Sequence, residues 1–123
     1  MTVAVAHVMQ RRVYFAAPDY TVDHVRELMA AKRIHALPVV TANKKAVGIV
    51  TTADVARTMA EDTPVADVMS DIIFRVAATD PVAKAARMMR TKRVHHLVVV
   101  DDGEAIGILS SFDLLRLVEQ KFI

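Results

Sequence analysis

The sequence lacks cysteine and tryptophan altogether, and only 5% of its 123 residues are aromatic. Without cysteine the protein can form neither a disulfide nor a thiolate metal site, which is typical of a reducing compartment. No apolar run approaches the roughly 20 residues that a membrane-spanning helix needs. The N-terminus shows neither the basic start nor the long apolar segment of a signal peptide, so we expect a cytoplasmic protein.

An excess of one charge sign is also missing. The 16 basic and 14 acidic side chains leave a net charge of +2, and without a long basic run we do not expect a nucleic-acid partner. Familiar catalytic signatures, such as G-x-S-x-G, a Walker loop, H-E-x-x-H or G-x-G-x-x-G, are absent. Three of the histidines have no neighbouring cysteine or carboxylate, which makes a zinc site a poor hypothesis. We therefore expect neither an enzyme nor a metalloprotein.

What the chain does contain is a repeat. Residues 29–40 read M-A-A-K-R-I-H-A-L-P-V-V, and residues 89–100 read M-R-T-K-R-V-H-H-L-V-V-V. The stretch G-I-V-T-T-A-D at 48–54 returns as G-I-L-S-S-F-D at 107–113. A period of roughly 60 residues is too long for a solenoid unit, and each half is near the size at which a single core is marginal. We predict two similar domains, residues 1–62 and 63–123, that share a core.

Apolar periodicity predicts the same order of elements in each repeat: strand, helix, strand, strand, helix. β-branched runs at 34–40 and 94–100 predict buried strands, and apolar positions spaced by three and four residues from 22 and 82 predict amphipathic helices. A strand–helix–strand step implies parallel strands, whereas the next two strands form a hairpin. The predicted fold class is therefore mixed α/β (α+β), with both parallel and antiparallel strand pairs. The remaining predicted elements are opening strands at 13–15 and 73–75, second strands at 46–50 and 105–109, closing helices at 53–60 and 112–121, and a short helix at 65–69.

The repeated polar pattern is Gly-x-x-Thr/Ser-x-x-Asp. Its members are Gly48, Thr51 and Asp54 in the first repeat and Gly107, Ser110 and Asp113 in the second. One interpretation is a helix N-cap with an acidic residue in the first turn. The other is a binding site, because a hydroxyl at a helix N-terminus suits a phosphate and a carboxylate can accept two hydrogen bonds from ribose hydroxyls. A cap needs no glycine upstream, so recurrence of the full spacing favours the second interpretation.

Histidines recur at the point where the first helix of each repeat gives way to a strand. His35 and His95 are equivalent, and His96 follows directly. Basic pairs precede them, and these favour the negative end of a helix dipole. Because His95 and His96 point to opposite faces of a strand, they would not chelate one metal. We interpret the histidines as possible donors to an anion.

The ordered duplication of these motifs resembles a tandem pair of CBS domains, also called a Bateman module. The stretch R-V-H-H-L-V-V-V-D is similar to the γ subunit of AMP-activated protein kinase. The resemblance covers essentially the full chain. It implies two β-α-β-β-α repeats with pseudo-two-fold symmetry, packed through their sheets. It also implies that clefts between the repeats bind an adenine nucleotide, AMP, ADP, ATP or S-adenosylmethionine, as a regulatory ligand rather than a required cofactor.

Carried over residue by residue, the resemblance implies three kinds of contact. Asp54 and Asp113 would hold ribose hydroxyls, and Thr51 and Ser110 would bind ribose or phosphate. His35, His95 and His96 would approach phosphates, while Pro18, Ala78 and Thr79 would line the adenine pocket. Ala36 departs from the pattern, because it replaces a basic residue that the family often has there. We therefore expect the cleft that uses His95 and His96 to be the better phosphate site.

Assembly is the last expectation. Family modules usually dimerise through their helices, and the final helix carries more apolar residues than one stripe needs, including Phe112, Leu115 and Val118. The leading hypothesis is a non-catalytic, homodimeric sensor that binds an adenine nucleotide. The alternative is a structural dimerisation module with degenerate, empty sites. A nucleic-acid-binding member of the family is a weaker third hypothesis.

Overall fold

The computed structural model describes residues 2–10 and 14–122, with side chains up to residue 120. The chain divides into two compact units. We call Tyr14–Ile73 the first unit, and Met1–Val13 together with Phe74–Ile123 the second unit. The predicted domain boundaries of 1–62 and 63–123 follow the sequence repeat rather than compactness, and they stay a prediction. Among the described helices, none is both long and apolar enough to cross a bilayer.

The first unit is built on a hairpin flanked by helices. Its elements are helix α1 (Val22–Lys32), strands β1 (Ala36–Val40) and β2 (Ala46–Thr51), helix α2 (Thr52–Ala56) and a 3-10 turn at Val65–Asp67. Strands β1 and β2 pair antiparallel, and Ala16 adds a single parallel bridge to Val39. The core consists of Ala16, Val22, Val25, Met29, Leu37, Val39, Val50, Val55 and Val65.

The second unit repeats this plan with one more strand. Its elements are a 3-10 turn at Val5–His7, strand β3 (Arg75–Ala77), helix α3 (Val82–Lys92), strands β4 (His96–Asp101) and β5 (Glu104–Ser110) and helix α4 (Ser111–Phe122). Strand β3 runs parallel to β4, and β4 runs antiparallel to β5. The core consists of Val5, Val76, Ala85, Met89, Leu97, Val99 and Leu109. The predicted α/β class is confirmed.

Each unit contains the short opening segment of the other repeat. Residues 2–10 open the first repeat but belong to the second unit, and residues 63–73 open the second repeat but belong to the first unit. In the second unit, Val5 N–H donates to the Asp80 carbonyl at 2.8 Å, and Ala6 N–H to the Ala78 carbonyl at 2.9 Å. In the first unit, Val65 N–H donates to the Tyr20 carbonyl at 2.7 Å. Val5 and Val65 lie 60 positions apart and are both fully buried. The two repeats therefore make equivalent contacts, but each opening segment packs in the unit that the other repeat forms. We call these the exchanged segments.

Several predicted bounds shift for local reasons. Helices α1 and α3 end at Lys32 and Lys92, and the C-cap residues Arg33 and Arg93 that follow are in the left-handed region with φ of 55°. Because a left-handed turn follows each helix, β1 and β4 begin two residues later than predicted, at Ala36 and His96. Strand β3 likewise lies at Arg75–Ala77 rather than 73–75. The 13–15 strand is not formed at residues 14 and 15, and Val13 lies outside the described residues.

The closing helices differ in length more than predicted. Helix α2 stops at Ala56 instead of residue 60, whereas α4 runs from Ser111 to Phe122. At the end of α2, the Arg26 guanidinium donates to the Val55 carbonyl at 2.8 Å and the Thr58 carbonyl at 3.1 Å. These bonds satisfy carbonyl groups that a longer helix would satisfy with its own N–H groups.

Candidate functional site

The first copy of the polar motif forms a corner where β2 ends and α2 begins. Thr51 is the N-cap of α2, and its N–H and hydroxyl donate to Asp54 Oδ2 at 2.8 and 3.1 Å. The Asp54 N–H returns a bond to Thr51 Oγ1 at 3.4 Å, so the two residues form a capping box. Asp54 Oδ1 accepts from Arg57 at 2.7 Å. We call this arrangement the Asp54 corner.

The second copy forms the same corner between β5 and α4. The Ser110 N–H and hydroxyl donate to Asp113 Oδ2 at 2.8 and 3.0 Å, and the Asp113 N–H donates to Ser110 Oγ at 3.2 Å. Arg116 donates to Asp113 Oδ1, as Arg57 does to Asp54. Oδ1 also accepts a bond from Gln10 Nε2 at 3.0 Å. We call this arrangement the Asp113 corner.

The two carboxylates differ in burial. The Asp113 side chain is only 1% exposed, whereas that of Asp54 is 13% exposed. Gln10 contributes to the difference, because its opening segment runs beside α4. The counterpart of Gln10 sixty positions on is Ser70, whose hydroxyl donates to the Ile72 carbonyl at 3.2 Å instead. The same motif therefore produces one enclosed carboxylate and one more accessible carboxylate.

A pocket of about 240 Å³ borders the Asp113 corner within the second unit. It lies between the opening segment and α4, and most of its lining side chains are polar or charged. The lining residues are His7, Val8, Met9, Gln10, Asp113, Arg116, Leu117 and Gln120. Typical ligand pockets measure roughly 300–1,000 Å³, so this pocket is smaller than a typical ligand site.

Gly48 serves the chain itself at the Asp54 corner. A Cβ at this position would clash with the Met69 thioether and would lie 2.9 Å from the Ser70 carbonyl oxygen. Ile49 and Ser70 exchange two backbone hydrogen bonds here, both of 2.9 Å. The missing side chain thus permits a close approach by Met69 and Ser70.

The predicted histidines lie near the corners in different ways. His35 and His95 are exposed, and their carbonyls accept the Thr52 and Ser111 N–H groups at 3.0 and 2.9 Å. His96 is half-buried in β4 and lies directly opposite Ser110 in the strand register. Residues directly opposite in an antiparallel pair share a face, so the register brings His96 beside the Asp113 corner.

In the first unit, the position opposite Thr51 is occupied by Ala36. The residues expected near adenine lie at turns, which follow the Ala16 bridge in the first unit and β3 in the second. The Pro18 carbonyl accepts the Ala66 N–H at 3.1 Å, and Thr79 is exposed. Like the Ala78 carbonyl, which accepts the Ala6 N–H, the Pro18 carbonyl is already engaged by an exchanged segment.

Sequence reasoning missed the groups that complete the corners. Arg57 and Arg116 lie within the repeat match and three residues after each Asp, so their equivalence was a usable signal. Gln10 had no such signal, because its counterpart is Ser70 and its contact spans 103 positions. No cluster of histidine and carboxylate side chains within the described part of the chain could hold a metal ion.

Known proteins share this fold. The CBS domain model matches residues 5–61 and again residues 65–120. Homoserine O-acetyltransferase of Methanohalobium evestigatum is 31% identical over 102 residues, which is 81% of this chain. The chain spans 21% of that enzyme and well under half the length of the other first curated relatives.

Solved structures match over nearly their whole length. The CBS domain pair of protein MJ0100, in complex with 5'-methylthioadenosine and S-adenosyl-L-methionine, has a TM-score of 0.85 and 25% identity, with 94% of this chain and 98% of that chain covered. CBSX2 in complex with AMP has a TM-score of 0.81 and 28% identity, with 95% and 96% covered. Because the family model matches both halves and the fold is that of solved CBS domain pairs, this chain belongs to the CBS domain family and carries two CBS domains in tandem.

Proposed function

We propose that this CBS pair is a non-catalytic regulatory module that binds an adenosine-containing small molecule at its Asp corners. The observation that carries the proposal is the duplicated corner, in which a hydroxyl residue, an aspartate and an arginine recur with equivalent hydrogen bonds. Related CBS pairs of the same fold are described with 5'-methylthioadenosine, S-adenosyl-L-methionine or AMP. The enzymes among the curated relatives match over only a small part of their length.

The chemistry of the corners fits a ribose. A carboxylate accepts both hydroxyls of a vicinal diol, which makes Asp54 and Asp113 the proposed ribose acceptors. The pocket of the second unit borders Asp113, one of these acceptors. The remaining proposed contacts are Thr51 and Ser110 to ribose or phosphate, His35, His95 and His96 to phosphate, and Pro18, Ala78 and Thr79 to adenine.

We further propose that the two corners differ in their affinity for phosphate. His96 lies opposite Ser110, whereas Ala36 lies opposite Thr51. An imidazole donates to a phosphate oxygen and a methyl group does not. Phosphorylated ligands such as AMP therefore gain affinity at the Asp113 corner. Replacing His96 by alanine should remove that gain and leave the affinity for 5'-methylthioadenosine, which has no phosphate, unchanged.

Calorimetric titration with AMP, ATP and S-adenosyl-L-methionine tests the ligand class. We expect heat of binding and a raised melting temperature with at least one compound. Asp113→Asn should weaken that binding about tenfold, because an amide accepts fewer hydroxyl hydrogen bonds than a carboxylate. Asp101→Asn, at an exposed position of the β4–β5 hairpin, is the matched control and should bind like the wild type. Absence of heat and of any thermal shift with all three compounds would refute the proposal.

We propose that α4 mediates a homodimer. Phe112, Leu115 and Val118 follow one another at three-residue spacing, and they are 76%, 60% and 47% exposed. Side chains three residues apart lie on one face of a helix, so they form an apolar stripe on the unit's surface. Leu115→Lys should produce a monomer in sedimentation experiments, whereas Glu104→Lys, at an exposed position of β5 away from α4, should remain dimeric. A wild-type protein that sediments as a monomer at high concentration would contradict this.

The second candidate is a structural dimerisation module with empty sites. It is favoured by one observation, namely that Asp113 already accepts hydrogen bonds from Ser110, Arg116 and Gln10. The capping boxes alone account for both motifs in that case. Adenine absorbance released from the purified protein on denaturation would favour the sensor. Absence of both bound nucleotide and titration heat would favour the structural module.

A further inference from the structure

The Gln10 side chain lies in the pocket that borders Asp113. Its Nε2 donates to Asp113 Oδ1 at 3.0 Å. Gln10 is itself exposed, while the carboxylate that it covers is 1% exposed. Among the described residues, the backbone of Gln10 makes one bond, of 3.4 Å from its N–H to the Ile108 carbonyl. The contact thus joins an exposed residue to a buried acceptor.

The hydrogen bonds of Asp113 leave no acceptor position open. Oδ2 accepts from the Ser110 N–H and hydroxyl, and Oδ1 accepts from Arg116 and Gln10. An ionised carboxylate has about four lone-pair positions, and four donors occupy them here. A ligand hydroxyl can therefore bind Asp113 only when one of these donors leaves.

Gln10 is the donor that leaves at the lowest cost. The Ser110 donors belong to the N-cap of α4, so their loss would open the helix end. The Arg116 bond joins opposite charges, so its loss would leave a buried carboxylate without its counter-ion. The amide of Gln10 is neutral and can rotate into solvent from its exposed position.

The Asp54 corner provides the internal comparison. Among the described residues, Asp54 accepts two bonds from Thr51 and one from Arg57 at its side chain. Ser70, the counterpart of Gln10, donates to the Ile72 carbonyl and not to the Asp54 carboxylate. One acceptor position of Asp54 is thus open to a hydroxyl without any displacement.

We infer that Gln10 sets the affinity of the Asp113 corner by competing with the ligand's ribose diol for Asp113 Oδ1. This inference rests on the proposed function. Binding at this corner requires the Gln10 amide to turn away from the carboxylate, and the ligand thereby releases the only side-chain bond between the opening segment and α4 among the described residues. The ligand class is any nucleoside with a free vicinal diol, because the competition concerns the hydroxyls and not the base.

The test compares Gln10→Ala with Ser70→Ala, both in an Asp54→Asn background that weakens the first corner. AMP and 5'-methylthioadenosine are titrated calorimetrically into each protein after its melting curve has shown that it is folded. Loss of the competing hydrogen bond from the Gln10 amide to the carboxylate should tighten binding about tenfold in Gln10→Ala. Ser70→Ala should stay within about twofold of the background, because Ser70 donates to Ile72 rather than to Asp54.

Each result decides between the two ideas. Unchanged or weaker binding in Gln10→Ala, with a background protein that does bind, would overturn the role of Gln10 and leave the proposed function standing. Binding by none of the proteins, the wild type included, would overturn the proposed function. A second measurement uses the wild type alone: saturation with AMP should shift the side-chain amide resonances of Gln10 towards those of a free glutamine. Resonances that do not move on saturation would refute the competition.

Discussion

The Asp54 and Asp113 corners have the same motif but hold their exchanged segments in different ways. At the Asp54 corner the backbone does the holding, since Ile49 and Ser70 exchange two bonds of 2.9 Å. At the Asp113 corner the backbone bond of Gln10 is 3.4 Å long, and the Gln10 side chain binds the carboxylate. A carboxylate that accepts hydrogen bonds from its own domain has fewer acceptor positions left for a ligand. The Asp113 corner is therefore mainly structural in the free protein, and the Asp54 corner is more open to a ligand.

The largest effect should come from removing the two carboxylates. Asp113→Ala leaves four donors at a buried site without their acceptor, and we expect a loss of about 2–3 kcal/mol in the free energy of unfolding. Asp54→Ala removes a more exposed cap and should cost about 1 kcal/mol. Urea unfolding followed by circular dichroism measures both, with Asp101→Ala as an exposed control. Equal losses for the two variants would mean that the corners are energetically equivalent despite their different burial.

The next effect concerns the backbone contact of the Asp54 corner. Gly48→Ala should destabilise the protein by about 1–3 kcal/mol, because the new Cβ forces Met69 and the Ser70 carbonyl to move. The double variant Gly48→Ala/Met69→Ala isolates the cause. If the thioether is the obstacle, the double variant should lose less stability than the sum of the two single variants. Additive losses would assign the strain to the Ser70 carbonyl alone.

Local patterns predicted most of the elements of each unit. The β-branched runs that became β1 and β4 and the periodic positions that became α1 and α3 carry their signal in neighbouring residues. The predicted ends of helices and strands were wrong where a left-handed residue or a contact with a distant side chain lies at the end of the element. Arg33 and Arg93 turn the chain in the left-handed region, and Arg26 of α1 binds carbonyls at the end of α2. Neither event leaves a periodic pattern.

The candidate site was predictable only in its repeated part. Thr51, Asp54, Ser110 and Asp113 were found because the same spacing occurs twice. The capping boxes are formed in both units, and the ligand contacts of these residues stay a prediction. Gln10 was not found, since a contact across 103 positions depends on the exchange of opening segments. Duplication reveals what two sites share, whereas their difference arises from long-range packing.

The smallest expected effect compares the turns that precede α1 and α3. In the second unit, the Ala77 N–H donates to Asp80 Oδ2 at 2.9 Å, and Lys84 lies 3.2 Å from the same oxygen. This N–H bond, helped by Lys84, holds the pKa of Asp80 below its usual range. In the first unit Tyr20 occupies the equivalent position, and its N–H donates to the Ala17 carbonyl at 3.0 Å.

The lowered pKa fixes the sign of a pH dependence. The ionised Asp80 contributes its full stability above the unfolded-state pKa of about 3.9, and the contribution disappears as the pH falls through the lower folded-state value. Asp80→Asn retains an acceptor for Ala77 but cannot titrate, so its unfolding free energy should fall less steeply than that of the wild type below about pH 4. We expect a difference under about 1 kcal/mol, as for exposed ion pairs. Tyr20→Phe, which keeps the first unit's turn, should follow the wild-type curve, and parallel curves for Asp80→Asn and the wild type would show that both turns depend on their backbone bonds alone.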